Sequence, residues 1–195
     1  MKLKQIESIL KRSKNVQIFE GGEGQWLGDG AALYPVYGMP YLTEENLLTM
    51  WDIPEDKRSS WYFRTLTDLS VLDLRDNIPG EHLIERTLFP ICIKGATVEP
   101  LKTETGALFI NVKYLRPFDD LENGYELYSR IGTNGTQYIA VKSGYSLVGI
   151  IMPVKIVNAE FIDDLETLLE YSRMTRSNER NAESTLDDDD EDNAD

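Results

Sequence analysis

Residues 137–157, QYIAVKSGYSLVGIIMPVKIV, are the longest apolar stretch in the chain. β-Branched and aromatic residues dominate it, and Ser143-Gly144 splits it into two arms, 137–142 and 145–157. A Ser-Gly pair between such runs predicts a β-hairpin. The second arm is continuously apolar rather than alternating, which predicts a strand inside a sheet rather than on its rim. The rest of the chain reads as strands and helices covering this hairpin.

Residues 1–14 have a different period. Leu3, Ile6, Ile9 and Leu10 share one face at 3–4 spacing, with Lys4 and Lys11 stacked on the opposite one, so an amphipathic helix is expected. A strand over 16–20 should follow, leading into GGEGQWLGDG, with five glycines in residues 21–30. A phosphate-binding loop would need a helix after its glycines and a Lys-Ser/Thr pair. Instead, Ala31-Ala-Leu-Tyr-Pro-Val-Tyr37 reads as a strand, so a glycine-rich hairpin with Trp26 packed on it is predicted. Asp29, between two glycines, suits a turn better than catalysis. Thr43 caps a helix running to about Trp51, Pro54 starts a short helical turn, and 61–65 form a strand.

Residues 68–82 read as an irregular loop. Segments 83–93, 96–101 and 108–114, divided by Lys94-Gly95 and Thr105-Gly106, then 125–131, continue through Asn134-Gly135 into the central hairpin as one antiparallel meander. Asn158 opens a last helix whose stripe is Phe161, Ile162, Leu165, Leu168 and Leu169. That stripe either packs on the sheet or serves dimerisation.

Composition places these elements in a globular α+β domain, 1–176, followed by a disordered acidic tail, 177–195. The chain has 195 residues, 41% hydrophobic, and no run approaching a membrane span of about 20 residues. It starts without a signal-peptide core, and its single cysteine, Cys92, fits a reducing compartment, so a cytoplasmic protein with no membrane partner is expected. The net charge of −14 is uneven: from residue 181 there are eight acids and no base, whereas the preceding chain has 26 acids against 20 bases, a net of −6. The tail reads as solvating, as a mimic of nucleic-acid charge, or as a shield over a basic groove. Against this background, residues 1–14 hold five bases and only Glu7. Lys4, Lys11 and Arg12 are therefore the candidate phosphate contacts, the alternative being an ordinary solvated face.

Chemistry is sparse. A Ser-His-Asp triad would have to use His82, the only histidine, and no nucleophile-elbow sequence is present. Cys92, within Phe89-Pro-Ile-Cys-Ile, suits a small buried position better than a Cys-His dyad. Zinc lacks ligands, and Asp68, Asp73, Asp76 and Glu81 lack calcium-loop spacing. Asp119-Asp120 has no neighbouring Glu-x-Lys and reads, with Glu122, as the opening of a turn ending at Asn123-Gly124. No cofactor, metal or catalytic residue is expected, and the protein is read as a non-enzyme.

The segment Leu108-Phe-Ile-Asn-Val-Lys-Tyr-Leu115, then 125–131, then 145–156 with Ile151-Met152-Pro153-Val154, resembles the last repeat of bacterial sliding clamps. A basic helix followed by strands is likewise similar to a clamp repeat, whose helices face DNA. That resemblance implies a DNA-binding module using Lys4, Lys11 and Arg12, with copies assembling as a homo-oligomer. In overall style the small, acidic, cysteine-poor chain resembles phage and prophage accessory proteins of Firmicutes, including anti-CRISPR inhibitors. That likeness implies a non-enzymatic inhibitor whose acidic surface engages a host or phage nucleic-acid-handling protein, and this is the leading expectation.

Overall fold

The 137–157 hairpin lies in the middle of an eight-stranded sheet. The computed structural model describes residues 2–21, 24–86, 89–93, 95–104 and 106–155, and beyond them Thr167, Tyr171 and Met174, which are helical. The chain divides into two units, Met1–Lys155 and Ile156–Asp195. Most of the expected C-terminal helix and the whole acidic tail lie outside the described residues.

In the first unit, helix α1 (Leu3–Ser13) leads into strands β1 (Asn15–Gly21), β2 (Gly24–Gly28) and β3 (Ala32–Pro35). Helices α2 (Glu44–Met50) and α3 (Glu55–Arg58) then precede strand β4 (Tyr62–Leu66). Strands β5 (His82–Leu83), β6 (Glu85–Arg86), β7 (Ile91–Ile93), β8 (Ala96–Thr103) and β9 (Gly106–Asn111) follow. Two 3-10 turns, Val112–Tyr114 and Arg116–Phe118, lead to β10 (Glu126–Ile131), β11 (Gln137–Ser143) and β12 (Ser146–Ile151). The large sheet has the order β4-β1-β2-β3-β12-β11-β10-β5, and β6, β7 and β9 pair with β8 in a second sheet.

The α+β class is as the sequence implies, but the single antiparallel meander is not. The 83–93 segment breaks into three short strands because Ile84 turns into the core, its N–H donating to Leu127 O at 2.8 Å, and carries the chain from one sheet to the other. β4 pairs with β1 in parallel, an arrangement that needs a long crossover and leaves no local sequence sign. The 108–114 strand stops at Asn111, whose side chain accepts from Lys113 N–H and starts the 3-10 turn. The second hairpin arm ends at Ile151 rather than 157: Pro153 cannot donate to a ladder, and Val154 N–H goes instead to Phe109 O. At Asn134-Gly135 only the glycine takes positive φ, 79°.

Two halves repeat. α1 followed by β1-β2-β3, and the 3-10 pair followed by β10-β11-β12, are each a helical segment plus a three-stranded meander. The meanders meet at the antiparallel β3–β12 pair, so the strand order reads the same outward from that junction. The helical segments also touch: Lys2 N–H donates to Pro117 O at 2.8 Å, and Lys2 pairs with Asp120 at 2.5 Å.

Both faces of the sheet are covered. On the inner face, Ile6, Ile9 and Leu10 of α1, Leu47 of α2 and Leu101 and Ile110 of the second sheet pack on Val16, Ile18, Leu127 and Ile139. α2 is held by the expected Thr43 cap, which forms a reciprocal box with Asn46. On the outer face, Phe19, Trp26, Leu33, Tyr138 and Ile150, with Leu66 of β4, are covered by Leu69, Leu72 and Leu74 of the loop before β5. The segment read as irregular is therefore a lid with its own apolar side.

Candidate nucleic-acid interface

α1 buries one face and leaves the other to solvent, so its amphipathic pattern fixes where its charges point. Lys4 and Arg12 are exposed, and Lys4, Glu7, Ser8, Lys11 and Arg12 line one shallow depression on the helix. The three predicted contacts are thus brought together, with one qualification: Lys11 Nζ lies 2.6 Å from Glu7 Oε1, an i,i+4 pair that neutralises it. With Lys2 held by Asp120, the cations of this segment without a carboxylate partner among the described residues are Lys4, Arg12 and Lys14.

The fold adds residues that the sequence reading did not select. Lys14, left-handed at φ 53°, ends α1 and turns the chain into β1. Its carbonyl accepts Tyr62 N–H at 2.9 Å, and its ammonium reaches Ser60 Oγ at 3.3 Å. The parallel ladder sets Asn15 beside Tyr62 and Gln17 beside Arg64. Tyr62 and Arg64 therefore stand on the strand next to the basic end of α1, and Arg58 lies four residues before Tyr62 at the end of α3. The legible signal was Arg58-Ser-Ser-Trp-Tyr-Phe-Arg64, a run of aromatic residues flanked by cations. The aromatic residues between positions 34 and 62 divide by burial. Tyr34 and Trp51 are core, Trp61 is half-buried against Trp51 and Phe63, and Tyr37, Tyr41 and Tyr62 are exposed.

The other titratable groups are engaged elsewhere. Asp29 is a turn residue, as expected: Oδ1 accepts the N–H groups of Ala31 and Ala32, while Oδ2 accepts Tyr114 O–H at 2.9 Å. Burial, reinforced by the Asp29 charge, holds the Tyr114 phenol protonated well above its ordinary range. The four acids of the lid loop bind no common centre. Asp68 accepts Ser70 N–H, Asp73 pairs with Arg75, Asp76 accepts Leu147 N–H, and Glu81 meets Arg130 and Lys142. Arg130, fully buried on β10, donates Nε to Glu81 and its terminal nitrogens to the carbonyls of Asp73, Arg75 and Asp76. Lys142, also buried, reaches Glu81 Oε1 at 2.7 Å and Asn77 Oδ1 at 2.6 Å, with its ammonium 4.6 Å from the centre of the Tyr128 ring. Burial alone would raise the Glu81 carboxyl, but hydrogen bonds from Lys142 and Arg130 outweigh it and leave the group below the ordinary carboxylate range. This cluster ties the lid to the sheet.

The catalytic candidates do not assemble. His82 Nδ1 lies 3.1 Å from Glu104 Oε1 at the mouth of a cleft of about 410 Å³, and Ser129 stands opposite His82 in the ladder. No hydrogen bond joins His82 to Ser129 among the described residues. Cys92 is exposed on β7 rather than buried, because strand alternation turns it away from the side on which Ile91 and Ile93 are half-buried. Asp120 is taken by Lys2, and residues 119–124 form the expected turn, closed by Gly124 N–H to Leu121 O. Among the described residues no group of three metal-ligating side chains occurs, and no helix is long and apolar enough to cross a membrane.

No family model, curated protein or solved structure matches the chain.

Proposed function

We propose that the protein is a non-catalytic, clamp-like module that binds duplex nucleic acid through α1. The observation that carries this reading is the placement of Lys4 and Arg12 on the exposed side of α1, neither paired with a carboxylate among the described residues, in a chain of net charge −14. An acidic body with one local basic face repels phosphate everywhere except at that face. The duplicated helix-plus-meander halves and their touching helical segments favour the clamp-like form.

A low-salt gel shift with duplex DNA tests it. The full chain should retard the duplex, and log K should fall linearly with log salt. In a Lys4→Ala, Arg12→Ala variant the salt slope should drop by about one per phosphate contact removed. Both residues face solvent, so the variant should fold normally. No shift at low salt, or a variant binding like the wild type, refutes the reading. Ring-like use further requires several copies to assemble, which sedimentation velocity reads directly.

The eight acids from residue 181 onward favour a second reading, a cytoplasmic phage- or prophage-type accessory protein that inhibits nucleic-acid-handling machinery through its acidic surface. Truncation after Arg180 separates the two. DNA binding that tightens without the tail makes the tail a shield over a DNA-binding module. DNA binding absent in both forms, with salt-sensitive binding to a purified basic nuclease, supports the inhibitor.

A further inference from the structure

β4 is the terminal strand of the eight-stranded sheet, and only its β1 side is paired in the ladder. Its side chains alternate. Phe63 turns inward to the inner core with Trp61, whereas Tyr62 and Arg64 belong to the opposite face, beside Asn15 and Gln17. Further along that face Leu66 lies under the lid with Phe19, but the Tyr62 end is uncovered, and the Tyr62 ring is 60% exposed. Gly28, across the ladder from Gln17, is buried, and the Asp29–Gly30 turn packs beside Gln17 and Asn15, with Asn15 Nδ2 donating to Asp29 O at 3.0 Å, which leaves the Tyr62 side of this corner open. Two cations flank Tyr62 in the fold, Arg64 on the same strand and Lys14, whose carbonyl accepts Tyr62 N–H and whose ammonium reaches Ser60, while Arg58, four residues earlier, has its Nε fixed by Ile53 O at 3.1 Å. Asp29, whose carbonyl accepts Asn15 Nδ2 beside Tyr62, has its carboxylate already occupied by two backbone N–H groups and the Tyr114 hydroxyl.

We propose that Arg58–Arg64, together with Lys14, is a binding element for single-stranded nucleic acid, one base stacking on Tyr62 while Arg64 and Lys14 contact the flanking phosphates. The proposal rests on the nucleic-acid reading above and specifies a second strand state and a second surface, distinct from the exposed face of α1. Its chemistry is that of single-strand binders generally: a sequence-tolerant aromatic face with cations tracking the backbone. A base paired in a duplex cannot present its face to Tyr62, so this corner discriminates against duplex. The extended backbone of β4 holds Tyr62 and Arg64 on one side, two residues apart, and stacked Trp61 and Phe63 anchor the strand from behind.

The test is fluorescence anisotropy of the full chain with a labelled oligo(dT), using oligo(U) and a mixed-sequence duplex as competitors. Oligo(dT) should bind at low salt, and either oligo(dT) or oligo(U) should compete better than the duplex against variants lacking Lys4 and Arg12. Tyr62→Ala should weaken oligo(dT) about tenfold, Tyr62→Phe should retain binding because the ring remains, and Arg64→Ala should lower the salt slope by about one. Duplex binding by α1 should be unchanged in Tyr62→Ala. If oligo(dT) binds but Tyr62→Ala binds it like the wild type, the single-strand element is refuted and the basic-helix reading stands. If neither oligo(dT) nor duplex binds at low salt, both fail. Unaltered circular dichroism and melting of Tyr62→Ala exclude a folding defect.

Discussion

Among the described residues Glu81 is the one carboxylate shared by two buried cations, which makes Glu81→Ala an informative perturbation of the fold. Arg130 has no accessible surface, the Lys142 side chain is 4% exposed and Glu81 11% exposed. The cluster holds two positive charges against one negative charge, and the balance is made by carbonyls of Asp73, Arg75 and Asp76 and by the Asn77 side chain. Removing Glu81 leaves both buried cations without their carboxylate counter-charge. Breaking a buried pair from one side costs about 3–5 kcal/mol. For a domain of this size about 2–4 °C accompanies each kcal/mol, so melting should fall by roughly 6–20 °C. Lys11→Ala, which removes an exposed i,i+4 pair, should cost no more than about 0.5 kcal/mol and serves as the control. Urea unfolding followed by far-UV circular dichroism measures both. A Glu81→Ala loss under about 1 kcal/mol would mean that solvent reaches the cluster, and that the lid is not anchored by it.

The same cluster sets an acid limb. The Glu81 carboxyl titrates lower in the folded than in the unfolded chain, so its contribution is fully present above the unfolded carboxylate range and is lost as pH falls through the lowered folded value. Melting temperature against pH should fall on acidification from about pH 4 downward, and more shallowly in Glu81→Gln; parallel curves would contradict this. Gly149→Ala should cost about 1–3 kcal/mol, because a Cβ there would lie 2.4 Å from Phe118 Cζ, and Phe118→Leu should recover part of the loss in thermal melts. Asp29→Ala should destabilise by about 1–3 kcal/mol, leaving two turn N–H groups and the Tyr114 hydroxyl without their acceptor; an unchanged urea midpoint would refute the turn's role.

The fold was legible where its signals are local. The central hairpin, the Thr43 cap, the Asp29 turn and α1 each follow from a period or a turn chemistry confined to a dozen residues. What was not legible depends on partners far along the chain. Alternation in Leu-Tyr-Ser-Arg130 and Tyr-Ile-Ala-Val-Lys142 places Arg130 and Lys142 outward, as solvent-facing residues of an ordinary strand. They are buried because the lid, whose Leu69, Leu72 and Leu74 lie in a stretch without periodicity, folds over that face. The parallel β1–β4 pair is equally silent in sequence, yet it is what brings Tyr62 and Arg64 to Lys14. Of the interface, Lys4, Lys11 and Arg12 could be read from helical spacing, whereas the Glu7 pairing that neutralises Lys11 is a choice between rotamers that spacing alone does not make.

The repeated halves carry unequal helices, and that inequality bears on the proposed duplex surface. Where the first half has the eleven-residue α1, the second has two 3-10 turns, with Pro117 inside the second turn, where continuing an α-helix would require an N–H. The two segments meet at Lys2 and Pro117, so the exposed Arg116 lies beside the start of α1. Lys113, by contrast, is drawn back over the Tyr114 ring, 4.5 Å from its centre. If the halves form one duplex-facing surface, Arg116 extends the row begun by Lys4, while Asp120, locked to Lys2, marks its end. Arg116→Ala should then weaken duplex binding and lower its salt slope by about one, as is expected of Lys4→Ala. A normal slope in Arg116→Ala beside a reduced slope in Lys4→Ala would confine the surface to α1, leaving the second half as its structural support.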